Sequence, residues 1–151
     1  MTVVARLPVD TAFVAMLRDN LQFPKAVYYG DSAQTESGMP PPDAPLPYAI
    51  VYAIDGGDIY GPPLTDPEGD VECIFQVTCV GGTSAQAILV ADEVRTTVLG
   101  RNPTGTFLTP LELPAGEVID RQSAFGMPGT SRTGKLWNAF PRFTLYVCGG
   151  G

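Results

Sequence analysis

Acidic side chains crowd one short stretch of the chain, and a cluster of carboxylates is the first place to look for chemistry. Five lie between positions 55 and 70, namely Asp55, Asp58, Asp66, Glu68 and Asp70. A calcium site needs several oxygens within about 2.3 to 2.6 Å and usually a spacing such as D-x-D-x-D-G. The spacing here does not match that pattern. We therefore interpret the cluster as a solvated turn and expect no bound metal.

Catalysis by a nucleophile or a general base has little support in the residue types. The chain contains no histidine, which is the commonest general base and transition-metal ligand, so its hydroxyls and thiols lack the usual activating partner. The run Gly81-Gly82-Thr83-Ser84 precedes a predicted helix but lacks the lysine of a phosphate loop and the spacing of a dinucleotide loop. Thr83 and Gln86 instead have capping-box spacing. We expect no enzyme activity, no catalytic residue and no cofactor.

Overall charge and length restrict the class of protein further. The 151 residues include 16 acidic and 9 basic side chains, so the net charge of −7 has the wrong sign for gripping phosphates. No apolar run approaches the roughly 18 residues of a membrane-spanning helix, and the first ten residues do not resemble a secretory signal. Cys73 and Cys79 lie about 20 Å apart along a predicted strand, too far for a disulfide, and are interpreted as core residues.

Two helices follow from the spacing of apolar residues. The first is predicted to open with Asp10 as N-cap and to end near Asn20, because Phe13, Leu17 and Leu21 recur every four residues. The second runs from Thr83 to Leu99. Its expected buried side consists of Ile88, Ala91, Val94, Val98 and Leu99.

Four strands are predicted, over 48–54, 71–80, 118–125 and 143–147. In the second, Val71, Cys73, Phe75, Val77 and Cys79 alternate with polar residues and should face the core. Stretches 30–47, 55–70, 101–116 and 126–134 are interpreted as loops rich in Gly or Pro. The expected fold is α+β, a single domain over 1–151, with a mainly antiparallel or mixed sheet of about four strands, two helices on one face and long loops.

Large apolar side chains within loop sequence usually mark contact surface. Four residues meet that description, and we predict that they contact another subunit or a partner: Tyr60, Phe107, Leu111 and Trp137.

The element order and several short motifs resemble the tail terminator proteins of long-tailed, siphovirus-type bacteriophages, with actinobacterial-phage versions closest. Four segments carry the resemblance: PYAIVY at 47–52, FQVTCVG at 75–81, AQAILVADEVR at 85–95 and PRF at 141–143. In that family a strand with a central Gln-Val runs through a short Gly/Ser/Thr turn into a helix with an Ala-Asp-x-Val-Arg centre. The resemblance spans most of the chain, and the individual motifs are short and structural.

The resemblance implies a structural subunit made in the host cytoplasm and located in the virion, at the neck end of the tail. It would form a hexameric ring on the last tail tube ring, end tail elongation and offer a surface to the head–tail connector or stopper protein. Genomic DNA would pass through without specific binding, and no membrane is involved. The carboxylates of 55–70, or else Glu112 and Glu117, are candidates for the channel lining. Alternatives are another neck protein, such as a stopper or completion protein, or a small-ligand or metal-binding domain.

Overall fold

A computed structural model describes residues 6–30, 44–54, 71–114, 116–123 and 129–148. They form two helices and one mixed sheet of seven strands. In chain order the elements are α1 (Arg6–Asn20), β1 (Val27–Gly30), β2 (Tyr48–Ile54), β3 (Val71–Gly81), α2 (Ser84–Leu99), β4 (Glu117–Ser123), β5 (Thr130–Thr133), β6 (Leu136–Ala139) and β7 (Arg142–Cys148).

β3 is the centre of the sheet. It pairs antiparallel with β2 on one side, and β1 lies parallel to β2 beyond it. On its other side β3 pairs with β6 and then β7 in one continuous register, since Cys79 opposes Ala139 and Gln76 opposes Arg142. Between them the Val77 N–H donates to the Pro141 carbonyl at 2.9 Å. β6 and β7 therefore act as one long strand, interrupted where Pro141 has no N–H to donate.

The outer border of the sheet also consists of two strands that follow one another end to end. β4 pairs with β7, and β5 pairs with β6, so these two strands follow one another along that border. Gly134 starts the two-residue turn between β5 and β6 with φ +62°, the position where type II′ hairpin turns carry glycine. Across its width the sheet thus runs β1, β2, β3, β6 with β7, and β4 with β5.

The predicted α+β class, the mixed sheet and the two helices on one face are confirmed. The expected number of about four strands is wrong. β1 is only four residues long, and β5 lies in the stretch 126–134 that was interpreted as a loop. Its exposed, polar sequence Thr-Ser-Arg-Thr has no apolar alternation, and only pairing with β6 makes it a strand. Of the loop predicted over 30–47, residues 31–43 lie outside the described residues, as does the whole of the loop predicted over 55–70.

The hydrophobic core lies between the helices and one face of the sheet. The predicted inward residues Cys73, Phe75, Val77 and Cys79 are completely buried. The rings of Phe13 on α1 and Phe75 on β3 stack in parallel with centroids 4.2 Å apart, and Phe143 packs beside Phe13 at 6.4 Å. The predicted facing of β3 is therefore confirmed.

Helix α1 begins earlier than predicted. It starts at Arg6, so Asp10 lies inside the helix and is not its N-cap. Asp10 is buried, and its carboxylate accepts a hydrogen bond of 2.9 Å from the Tyr29 hydroxyl of β1. A tertiary partner therefore explains this aspartate better than capping does. The predicted end near Asn20 is confirmed.

Helix α2 begins as predicted, but it is rotated relative to the expected facing. The Thr83 hydroxyl accepts a hydrogen bond of 3.2 Å from the Gln86 N–H, which confirms the cap. Ile88, expected in the core, is 41% exposed. The buried stripe consists of Ala87, Val90, Ala91, Val94, Thr97 and Val98.

Neither described helix has the length and apolar character needed to cross a bilayer. Among the described residues, no group of three or more Cys, Asp and Glu side chains is arranged to hold a metal ion.

Candidate subunit interface

The face of the sheet opposite the helices carries a mixture of aromatic and polar side chains. Cross-strand pairing places Tyr28, Ile50 and Thr78 in one row across β1, β2 and β3. A second cluster of buried residues, Tyr48, Ile50 and Val80, lies on this face, and no helical residue belongs to it. Ala44 and Leu46 pack against that cluster at one corner. We refer to this surface as the helix-free face.

Polar groups in the middle of the helix-free face bond to one another. The Arg142 Nε donates to the Gln76 Oε1 at 2.8 Å, and the Gln76 Nε2 donates to the Thr78 hydroxyl at 3.3 Å. Neighbouring Phe140 leaves 41% of its surface exposed. Aromatic residues and arginine are enriched in surfaces that contact another protein.

Tyrosine hydroxyls add neutral donors to this face. The rings of Tyr28 and Tyr48 meet edge to face at 5.8 Å. Burial raises the pKa of Tyr48 and of Tyr52, and a neighbouring tyrosine raises each further. The pKa of Tyr146 is raised by desolvation first and then by the charge and hydrogen bonding of Glu72. The raised pKa values keep the hydroxyls of Tyr48, Tyr52 and Tyr146 protonated at neutral pH, and the Tyr146 hydroxyl is bonded to Glu72.

The outer border formed by β4 and β5 is the second candidate surface. Within the described part of the chain, β4 pairs only with β7 and β5 only with β6, so the outer side of each strand faces no further strand. β4 also carries a register irregularity between Val118 and Asp120. Ile119, at that irregularity, is 49% exposed. Unpaired edges with an exposed apolar residue are templates for pairing with another chain.

Phe107, one of the four predicted contact residues, is half-buried between two arginines. The Arg101 guanidinium carbon lies 4.2 Å from the centre of the Phe107 ring, and that of Arg121 lies 4.4 Å from it. Arg101 also forms an ion pair of 2.9 Å with Asp120. The ring therefore has an intramolecular role, while its neighbour Leu108 is 60% exposed.

The other predicted contact residues are less exposed than their loop sequence suggested. Leu111 and Trp137 are half-buried and pack against the main core. The Arg132 guanidinium lies 5.8 Å from the Trp137 ring centre. Tyr60 lies outside the described residues.

Two of the predicted channel-lining carboxylates are brought together. Glu112 and Glu117 are both exposed and both line one open surface depression of about 400 Å³. Leu111, Leu113, Gly116 and Val118 complete its lining. Asp55, Asp58, Asp66, Glu68 and Asp70 lie outside the described residues.

A more enclosed cavity of about 350 Å³ lies between α1 and β1. Asp10 and Arg18 contribute opposite charges to its lining, with Val14 between them along the helix. The Tyr29 hydroxyl bonds to Asp10, and the Arg18 Nε donates to the Val27 carbonyl at 3.1 Å. Both charged groups are thus already hydrogen-bonded within the protein.

Sequence reasoning missed most of the apolar side chains that are exposed. Among the large apolar residues that the structure describes, those with 41% or more of their surface exposed are Phe23, Ile88, Leu89, Leu108, Ile119 and Phe140. For Ile88 and Leu89 a signal was available, because adjacent helical residues point about 100° apart and cannot both lie at the centre of one buried stripe.

No protein-family model matches this chain, and no curated protein is significantly similar to it in sequence.

Proposed function

We propose that this protein is a structural subunit of a virion, a tail terminator that assembles as a hexameric ring on the tail tube of a long-tailed bacteriophage. In this role it ends tail elongation, joins the tail to the head connector and performs no catalysis. The proposal starts from the sequence motifs at 47–52, 75–81, 85–95 and 141–143.

The observation that carries the proposal furthest is the open outer border of the sheet. In the described part of the chain, β4 and β5 lie on this border, and short β1 lies on the opposite one. A contact between two different surfaces of the same chain is head-to-tail, and such contacts close into a ring when the rotation between copies permits it. The helix-free face, with Phe140 exposed, supplies further contact area next to that border.

The negative net charge of the chain is compatible with a channel through which DNA passes without binding. Six copies of a chain with net charge −7 carry −42, and carboxylates facing the channel repel phosphates over roughly 8 Å at physiological salt. Glu112 and Glu117, which share one depression, are candidates for that lining. Changing both to Gln should slow genome ejection at low salt and leave it unchanged at high salt. Unchanged ejection at low salt from fully assembled particles would exclude these two residues.

Assembly itself is tested by native mass spectrometry of the purified chain with and without tail tube protein. The proposal requires a hexamer in these spectra. Electron micrographs of particles made without the protein should also contain tails of uncontrolled length. Tails of normal length that fail to join heads would indicate a stopper or completion protein. A monomer at every concentration, with tube protein present, would contradict the ring.

The contact surface is tested by a matched pair of variants. Phe140→Asp places a charge on the helix-free face, whereas Phe23→Asp places one on a ring that is 54% exposed after α1. Both chains should fold, because neither ring is buried. Only Phe140→Asp should lose the ring species, and loss in both variants or in neither would reject the helix-free face as the contact.

A further inference from the structure

One buried cation in the described structure has no anionic partner. Arg121 on β4 is only 5% exposed. Its Nη1 donates to the Val98 carbonyl at 3.3 Å and contacts the Met16 sulfur at 3.8 Å. Its Nε is buried and has no hydrogen-bond acceptor. In the described part of the chain, no carboxylate lies within ion-pair distance of this guanidinium.

A second guanidinium lies on the same aromatic ring. Arg101 and Arg121 both lie within 4.4 Å of the Phe107 ring centre. The nearby Asp120 carboxylate already has two hydrogen-bond donors. It accepts a hydrogen bond of 2.9 Å from Arg101 and one of 2.8 Å from the Gln122 amide. Desolvation alone would raise the pKa of Asp120, but these hydrogen bonds, one from the Arg121 N–H and the charge of Arg101 lower it. The Asp120 carboxylate is therefore paired with Arg101, and the Arg121 guanidinium has no carboxylate of its own within the described residues.

A structural role accounts for part of this arrangement. Val98 lies in the last turn of α2, where carbonyls lack helical partners, so the Arg121 guanidinium caps the helix and offsets its dipole. That contact leaves the Nε donor unsatisfied, and a buried charge without a counter-ion is strongly unfavourable. Burial, and then the nearby charge of Arg101, lower the pKa of Arg121, in keeping with an environment that opposes the cation.

We propose that Arg101 and Arg121 form a carboxylate-binding site, and that an acidic side chain of a second copy of this chain occupies it. This inference rests on the proposed ring. Arg121 lies on β4, at the outer border of the sheet, and two residues close to the site in sequence, Leu108 and Ile119, are exposed. With 16 acidic and 9 basic residues, a second copy offers carboxylates in excess of its own cations. Arginine forks suit a carboxylate because they donate two parallel hydrogen bonds.

Access to Arg121 depends on the loop that holds Phe107. A bridge between Arg101 and Phe107, and a hydrogen bond of 2.9 Å from the Leu108 N–H to the Gly100 carbonyl, close this loop. Arg101 is 47% exposed in its side chain and is the first group that an incoming carboxylate reaches. Full engagement of Arg121 requires the Phe107 ring to move aside, which frees an apolar side chain for the partner.

The decisive variant is Arg121→Met, which removes the charge and keeps a long apolar side chain. Replacing a buried charge by a packed apolar residue is often neutral or stabilising. The monomer should therefore melt at an unchanged or higher temperature, while ring formation should weaken by about tenfold or more, as expected for loss of a buried interfacial charge pair. A role confined to capping α2 predicts instead a lower melting temperature and an unchanged affinity between folded subunits.

Arg18→Met is the matched control. Arg18 is an exposed arginine on α1, outside the helix-free face and outside the border of β4 and β5, and its Nε donates to the Val27 carbonyl. Both stability and ring formation should be retained in this variant. If Arg121→Met assembles like the unmodified chain, the proposed carboxylate-binding site is wrong, but the proposed ring is not contradicted. If the unmodified chain forms no ring with tube protein, the proposed function itself fails.

Arg101→Met decides the matter if Arg121→Met does not fold, because Arg101 is exposed and its replacement leaves the core intact. It should weaken ring formation and leave the melting temperature nearly unchanged, because an exposed ion pair contributes little to stability. The Arg121 Nε–H resonance of the unmodified chain identifies the source of the carboxylate. A shift on ring formation, and none with sodium acetate added to the monomer, supports a second copy; a shift with acetate alone indicates binding of free anions and contradicts the proposed occupant.

Discussion

Side chains on the two faces of β3 are held by different forces. Phe75 and Cys79 point toward the helices and are completely buried, and their stability comes from removing apolar surface from water. Gln76 and Thr78 point away and are held by hydrogen bonds to each other and to Arg142. The same strand thus contributes to the core on one side and, in the proposed assembly, to a contact surface on the other. Substitutions on the first side should unfold the protein, whereas those on the second should spare folding and affect assembly.

The largest effect is expected at the stacked pair on the helix-covered face. Phe75→Ala should lower the free energy of unfolding by about 3 to 5 kcal/mol, because it opens a cavity against Phe13. Phe140→Ala on the helix-free face should change it by no more than about 0.5 kcal/mol, as for other exposed positions. Urea denaturation of both variants measures the difference. Equal losses would mean that the two faces are not distinct.

Two glycines allow the two faces to be compared for how tightly the backbone is packed. At Gly81 a Cβ would lie 2.7 Å from the Gln86 Cβ and 2.8 Å from the Ala87 backbone nitrogen, where α2 begins. At Gly30 it would lie 2.5 Å from the ring of half-exposed Tyr52, which can rotate away. Gly81→Ala should therefore destabilise by about 1 to 3 kcal/mol and Gly30→Ala by less. Thermal melts in parallel test the order, and a reversed order would contradict a rigid helix-covered side.

A smaller effect is expected at the start of the helix that covers the core. Thr83→Ala removes the hydroxyl that accepts from the Gln86 N–H and should destabilise by about 1 kcal/mol. Thr96→Ala, at an exposed position of the same helix, should be neutral or slightly stabilising because alanine has the higher helix propensity. If both variants melt alike, the cap does not contribute to the stability of α2.

The smallest effect is expected for chemical modification of Cys79, which should not react in the folded protein. Burial raises the pKa of the Cys79 thiol, so it stays protonated and inaccessible on the helix-covered face. Cys148, at the end of β7, is half-buried. A thiol reagent at about pH 8 should modify Cys148 first and Cys79 only on unfolding, since the thiolate is the reactive form. Modification of Cys79 at the rate of Cys148 under native conditions would show that the core opens locally.

Strong apolar periodicity made the helices and the long strands predictable. Phe13 and Leu17 on α1, and the alternation from Cys73 to Cys79 on β3, identified the core because burial requires that spacing. The candidate contact residues were harder. Phe107, Leu111 and Trp137 were chosen as apolar residues in loop sequence, and all three are half-buried against the protein itself. A loop can fold back onto its own domain, and local sequence carries no sign of that contact.

What the sequence determined by itself was local: the class of fold, the cap at Thr83, the inward face of β3 and the lack of histidine. These depend on spacing over a few residues and on residue type. Only the tertiary structure decided that β5 becomes a strand, that Ile88 faces outward and that Arg121 is buried beside Arg101. Each depends on groups that meet from distant parts of the chain, as when Arg121 reaches Met16 across 105 positions. Pairing energies of that kind are set by the packed arrangement and leave no periodic trace in the sequence.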